Sequence, residues 1–166
     1  MIQYYASAED FAELYPNAST DAYERFAWDA QKAIDNATLT VDGVKKLRIA
    51  YPEREDDAEA VRRCMCALIN TLSLIDAAEA AANAASGYVE TGDGYHSANV
   101  RSISAGGESI TFAADAAAES EVTRAAKSEG AKRKYITGVI ERYLRGACDA
   151  NGVNLLYGGA YPRRFL

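Results

Sequence analysis

The chain has 166 residues, which suffices for one domain with its own core, and we expect no second catalytic domain. Hydrophobic residues make up 49% and charged residues 25%, as in ordinary globular proteins, which excludes wholesale disorder. The 24 acidic and 18 basic side chains give a net charge of −6, which disfavours general nucleic-acid binding because such binding neutralises phosphates. One histidine and three cysteines disfavour a zinc site and a Cys–His catalytic pair.

Neither a membrane span nor a secretory signal is visible in the sequence. No apolar run reaches the ~18 residues needed to cross a bilayer, and residues 1–5 lack the basic and apolar regions of a signal peptide. We therefore expect a soluble protein of a reducing compartment that has no membrane partner.

Charge is distributed unevenly along the chain. Residues 1–60 carry 13 acids and 6 bases, residues 61–120 carry 7 and 3, and residues 121–166 carry 4 and 9. The charges are either solvated faces, or a basic end of one copy meets an acidic side of the next in a head-to-tail assembly. The residues predicted to form such inter-subunit pairs are Lys132, Arg133, Lys134, Glu55, Asp56 and Asp57.

Two amphipathic helices are predicted in the first forty residues. The first extends from its N-cap Ser7 to Tyr15 and has acidic residues in its first turn. The second extends over residues 20–36, with Ser19 or Thr20 as N-cap and apolar residues recurring at spacings of three and four.

The longest helix is predicted between Glu53 and Ala85. It follows a connector over residues 38–51 that contains either a half-buried strand or a short helix. Pro52 cannot continue a helix that begins before it. Acidic residues are concentrated at the amino end of the helix that follows Pro52. Its apolar seam indicates the central, most buried helix: Val61, Met65, Leu68, Leu72 and Ile75.

A β-hairpin is the clearest strand signal. Residues 87–96 are predicted to be an exposed loop, and residues 99–112 form two short apolar–polar segments around Gly106-Gly107. An isolated hairpin is only marginally stable, so it must lie on the helices or pair with neighbouring copies. Its predicted inter-subunit residues are Val100, Ile103, Ile110 and Phe112.

The last helix is predicted to begin between Ala114 and Ser120, to end near Ala147 and to be divided at Gly130. After this helix, residues from Val153 to Leu166 include many large apolar and aromatic side chains. A terminus of this composition is expected to contact another surface, because exposed apolar patches usually mark contacts. This tail either folds back on its own core or docks on another copy or another protein with extended backbone. Its predicted docking residues are Leu155, Leu156, Tyr157, Gly158, Gly159, Tyr161, Arg163, Arg164 and Phe165.

These elements predict a mainly α fold with no catalytic, cofactor or metal residues. The expected architecture is a small helical bundle around a long central helix, over residues 1–152, with one β-hairpin insertion and an extended C-terminal tail over residues 153–166. Cys64 and Cys66 point to different sides of a helix, and His96 has no nearby partner at motif spacing. We therefore expect no enzymatic activity.

The order of elements resembles that of the head–tail connector proteins (adaptor or head-completion proteins) of long-tailed double-stranded-DNA bacteriophages. Five stretches of the chain follow that family's plan, and each motif alone is short. They are residues 11–15, Phe-x-x-x-Tyr where the family has Y-x-x-x-F/Y; residues 33–38, a helix ending in Ile-Asp; residues 61–75, a central helix with Ala, Cys and Met; residues 102–112, S-x-x-x-G-x-x-S-x-x-F/Y; and residues 143–159, a helix that corresponds to the one leading into L-x-G-T-G-L-x-Y-R-G in the family. Here a longer junction over residues 146–155 replaces G-T-G-L, and Gly158 stands where arginine is usual.

The resemblance implies a non-enzymatic virion part. Such proteins form a ring of twelve copies below the portal protein, extend the DNA channel and present a surface to the next neck or tail (terminator) protein. Genomic DNA would pass through without sequence-specific binding, and the location would be the virion neck, after assembly in the bacterial cytoplasm. The alternative is another helical protein–protein interaction module: a different neck protein, a capsid-accessory protein or a bacterial adaptor.

Overall fold

The computed structural model describes residues 4–19, 21–85, 88–91, 94–97, 102–105, 108–111 and 120–162, with side chains described over 4–19, 21–81 and 120–162. These residues are mainly helical, as predicted. Helix α1 is Ala8–Leu14. Its N-cap Ser7 is confirmed: the Asp10 N–H donates to Ser7 Oγ (3.1 Å) and the Ser7 N–H donates to the Asp10 carboxylate (2.7 Å).

Helix α2 is Ala22–Ala37 and begins later than predicted. Its N-cap is Asp21, so Ser19 is not the cap, and Thr20 lies outside the described residues. The Ser19 hydroxyl donates to the Asp21 carboxylate instead of accepting from the helix. This local side-chain bond competes with capping by Ser19.

The connector over residues 38–51 contains a bridge and a short helix. Leu39 and Lys45 pair across a turn in which Gly43 takes a positive φ of 80°. Helix α3, Lys46–Ile49, follows directly.

Helix α4, Glu55–Ala85, is the central element that the sequence predicts. Val61, Met65, Leu68 and Ile75 of the predicted seam are fully buried, and α4 contacts α1, α2 and the two helices that follow it. By length and composition alone, its stretch Glu55–Ala81 is long and apolar enough to cross a membrane, although no uninterrupted apolar run does so. A buried core helix has the same composition, and this seam lies inside the bundle.

Two antiparallel strand pairs follow α4. Strands β1 (Tyr88–Thr91) and β2 (Gly94–Ser97) pair with each other, so the expectation of a loop over residues 87–96 is wrong there. The sequence signal was the β-forming Tyr-Val-Glu-Thr segment beside a Gly-Asp-Gly turn motif. Strands β3 (Ser102–Ala105) and β4 (Glu108–Thr111) pair within the predicted hairpin segment.

The last helical region divides at Ser128 and not at Gly130. Helix α5 is Glu121–Lys127 and helix α6 is Glu129–Leu144. Ser128 between them is extended, and its Oγ accepts from the Ala131 N–H (3.2 Å), which caps α6. The serine provides the cap that begins a new helix, whereas Gly130 continues the helix it was predicted to break.

Helix α6 lies antiparallel to α4. Lys132 near its start pairs with Glu79 late in α4 (3.0 Å), and Tyr143 near its end interacts electrostatically with Arg63 early in α4. The start of α4 and the end of α6 therefore lie at the same end of the bundle.

Candidate interaction surfaces

The C-terminal segment folds back on its own domain. Leu155 and Tyr161 are buried, and the Leu155 N–H donates to the Ala147 carbonyl (2.8 Å). The prediction of an extended tail beginning at Val153 is therefore wrong as far as residue 162. Leu155 and Tyr161 are part of this subunit's core and are withdrawn from any docking surface.

Lys46 holds this segment from across the domain. Its Nζ is buried and donates to the carbonyls of Asn154 (3.0 Å) and Tyr157 (2.6 Å). Burial lowers the pKa of Lys46, and the nearby Asp149 carboxylate opposes that shift. The Val41 N–H donates a further hydrogen bond to the Gly158 carbonyl (3.1 Å). Hydrogen bonds therefore join residues 38–51 to the C-terminal segment.

Asp149 organises the turn that sends the segment back. Its Oδ1 accepts from the N–H groups of Asn151 (2.9 Å) and Val153 (2.8 Å), and its Oδ2 accepts from the Tyr161 hydroxyl (2.5 Å). Burial and this hydroxyl–carboxylate bond raise the pKa of Tyr161. We call residues 146–162, together with Lys46, the C-terminal clasp.

Part of the predicted docking set stays on the surface of the clasp. The side chain of Tyr157 is 52% exposed, Gly158 is exposed and Leu156 is half-buried. Val41, 78% exposed, is bonded through its backbone beside Tyr157. Tyr157 and Val41 are large apolar side chains exposed on this part of the domain, which makes them candidate contacts for another protein. Arg163, Arg164 and Phe165 lie outside the described residues.

The predicted hairpin contacts are described only in part. Ile103 and Ile110 are register partners in the β3–β4 pair. Val100 and Phe112 lie outside the described residues, as do the side chains of all four.

The predicted inter-subunit charges separate into two groups. Lys132 pairs with Glu79 of its own chain (3.0 Å), and Asp57 is buried beside Arg54 (3.7 Å). These two side chains are therefore occupied within the subunit. The remaining four are exposed: Arg133, Lys134, Glu55 and Asp56.

A basic cleft between α5 and α6 was missed in the sequence. It has a volume of about 330 Å³, and Arg124, Lys134 and Arg142 line it together with Glu121. The signal was present as a spacing, because Lys134, Gly138 and Arg142 recur every four residues and so share one face of α6. The run Lys132-Arg133-Lys134 is the more prominent charge pattern in the sequence, but its three side chains spread around the helix.

An aromatic cleft lies where α2, α3 and the N-terminal residues meet. Tyr4, Tyr5 and Tyr51 line a space of about 450 Å³ with Leu47 and Arg48. The Tyr5 hydroxyl donates to Asp35 Oδ1 (2.5 Å), and Arg48 donates to Asp35 Oδ2 (3.1 Å). Burial and the bond to Asp35 raise the pKa of Tyr5. The Tyr5 phenol stays neutral beside the Asp35 carboxylate, which is itself paired with Arg48. This arrangement stabilises the junction and provides no nucleophile.

Neither a metal-binding cluster among the described residues nor a comparison with known proteins assigns a function to these surfaces. Within the described residues there is no group of three or more histidine, cysteine, aspartate or glutamate side chains that could hold a metal ion. No protein-family model, no curated protein and no solved structure matches the chain.

Proposed function

We propose that this protein is a structural component of a virion, the head–tail connector that forms a ring of twelve copies below the portal protein. The observation that carries the proposal is the arrangement of surface charge: a basic cleft between α5 and α6 and an acidic segment at the start of α4, on one small helical domain. A domain with two complementary surfaces in different places can join its copies head to tail. The order of elements along the chain, which resembles that of the head–tail connector proteins, also supports the proposal.

The acidic balance of the chain suits a DNA channel. A channel lined by carboxylates repels DNA phosphates and lets the genome slide, whereas a basic lining would hold it. The net charge of −6 and the exposed acidic residues of the first 60 positions support a passage of this kind.

The alternative is another helical interaction module, such as a different neck protein, a capsid-accessory protein or a bacterial adaptor. The folded C-terminal clasp favours it, because Leu155 and Tyr161 are buried within the subunit and cannot anchor the chain to a portal. In the connector proposal, portal docking therefore falls to exposed residues such as Tyr157 and Val41.

The test is co-assembly. We would measure the mass of the chain by size-exclusion chromatography with light scattering, alone and mixed with the portal protein encoded near its gene. The proposal predicts a stable complex with the portal. A chain that remains monomeric and separate from the portal at every concentration and salt condition would contradict it and favour the adaptor alternative.

A further inference from the structure

Two cations of the basic cleft have no ion pair within the described part of the chain. Lys134 and Arg142 are exposed, and no carboxylate among the described residues lies within pairing distance of either, whereas Lys132 on the next face is paired with Glu79. Tyr135 is half-buried and adds an aromatic wall, and Glu121 contributes one acidic side chain.

Gly138 leaves the middle of this cleft without a side chain. It lies inside α6, where glycine is less favourable than alanine. A Cβ at this position would meet no heavy atom within 4 Å, and its φ is not positive. Nothing within the described subunit therefore requires glycine here, and its effect is to let another molecule approach the helix backbone between the cations.

The counterpart lies at the start of α4. Glu53, Glu55 and Asp56 are exposed, and none of the three has an ion pair among the described residues. The carboxylates that follow differ: Asp57 is buried beside Arg54, and Glu59 is paired with Arg62 (2.6 Å) and Arg63 (2.6 Å). The side chains that line the cleft come from α5 and α6, so within one copy the acidic segment does not fill it.

We propose that the cleft between α5 and α6 receives the acidic segment Glu53–Asp56 of a second copy of this chain. Charge complementarity selects this occupant: unpaired carboxylates on one surface match unpaired cations on another. DNA suits the cleft less well, because Glu121 lies in its wall and the chain as a whole is acidic. The contact is heterologous, so repeating it joins many copies and not only two. This inference rests on the proposed ring and names the contact that builds it.

The experiment is directed cross-linking in the full-length chain. Cys148→Ser removes the one described cysteine that is not buried, and the pair Gly138→Cys with Glu53→Cys then places one thiol in the cleft and one on the acidic segment. Mild oxidation of the concentrated protein should give a ladder of dimers, trimers and larger species. Each single-cysteine variant should stop at traces of dimer, and Gly138→Cys with Glu13→Cys, which adds an exposed thiol elsewhere, is the matched control.

Charge reversal tests the same contact without relying on cysteine cross-links. Lys134→Glu with Arg142→Glu, and separately Glu55→Lys with Asp56→Lys, should each weaken self-association by more than about tenfold, because like charges would face each other. An equimolar mixture of the two variants should associate again, since the intact cleft of one variant meets the intact acidic segment of the other and the two reversed surfaces are also opposite in charge. Circular dichroism of each variant checks that it is folded.

Three results would overturn the inference: no ladder beyond the controls, a cross-linked dimer that never extends, or loss of binding to a short DNA duplex as the main effect of the cleft reversal. The connector proposal is tested separately. Portal binding without the 53–138 cross-link rejects this contact and keeps the connector, whereas the ladder without portal binding keeps the contact and rejects the connector.

Discussion

The side chain of Asp149 holds the turn that folds the C-terminal segment back on the domain. It accepts three hydrogen bonds at 2.5–2.9 Å while buried. Asp149→Ala should lower the free energy of unfolding by roughly 2–4 kcal/mol, because two backbone N–H groups and a hydroxyl lose their acceptor. Tyr161→Phe, which removes one of the three bonds, should cost about 1–2 kcal/mol.

Urea unfolding followed by circular dichroism measures both changes. Tyr157→Phe is the matched control, because that ring is 52% exposed and its hydroxyl has no such bond among the described contacts. Its unfolding midpoint should stay close to that of the parent chain. An unchanged midpoint for Asp149→Ala would mean that the clasp does not contribute to the stability of the domain.

The thiols provide a second residue-scale prediction. Burial raises the pKa of Cys64 to about 12 and that of Cys66 to about 12. At pH 8 both should resist alkylation in the folded protein, because the thiolate is the reactive form, while half-buried Cys148 reacts. One thiol should be counted in the native chain and three in urea, and none in native Cys148→Ser.

The same shifts predict a loss of stability in alkali. A thiol whose pKa is higher in the folded state stabilises the fold below its unfolded value of 9.0. That contribution disappears as the pH rises from there towards 12, because the unfolded chain gains by ionising. Fast labelling of Cys64 or Cys66 in native protein at pH 8 would contradict the burial of these two thiols in α4.

At the scale of elements, helix α6 carries a glycine that its own fold does not require. Gly138→Ala should raise the free energy of unfolding by about 1 kcal/mol, since alanine is the better helix former and its Cβ meets open space. Gly146→Ala is the control with the opposite sign, because Gly146 has a φ of 95° that a side chain strains. Thermal unfolding ranks the two variants. A destabilising Gly138→Ala would show that α6 already packs tightly at this point.

Local patterns predicted some elements well and others poorly, for physical reasons. The Ser7 cap and the buried seam of α4 follow from hydrogen bonds and periodicities that reach only three or four residues along the chain. The local pattern predicts the break at Gly130 and not at Ser128, because a serine that caps a helix cannot be told from any other polar residue inside a helical stretch. The charge run at Lys132 likewise concealed the four-residue spacing of Lys134 and Arg142.

The folded C-terminus depends on contacts that local patterns do not contain. Lys46 and the carbonyls it binds are 108 and 111 residues apart in the chain. Tyr161 bonds to the Asp42 carboxylate through its N–H (3.3 Å) from 119 residues away. The composition of residues 153–166 indicated that the segment must bury apolar side chains, and left open whether the receiving surface belongs to the same copy.

At the scale of the whole molecule, the clasp predicts how much of the C-terminus can be removed. Deleting residues 153–166 should destabilise or unfold the monomer, because Leu155 leaves the core and the Lys46 ammonium loses both carbonyl partners. A fully stable 1–152 chain would contradict the folded clasp and restore the idea of an independent docking arm.

Electron microscopy tests most directly whether the protein assembles into a ring on the portal. We would purify the chain mixed with the portal protein encoded beside it and examine end-on views in negative stain. The account predicts a ring of twelve copies, coaxial with the portal, that is lost when Lys134 and Arg142 are both changed to glutamate. A portal with no added density, beside a chain that stays monomeric, would contradict it.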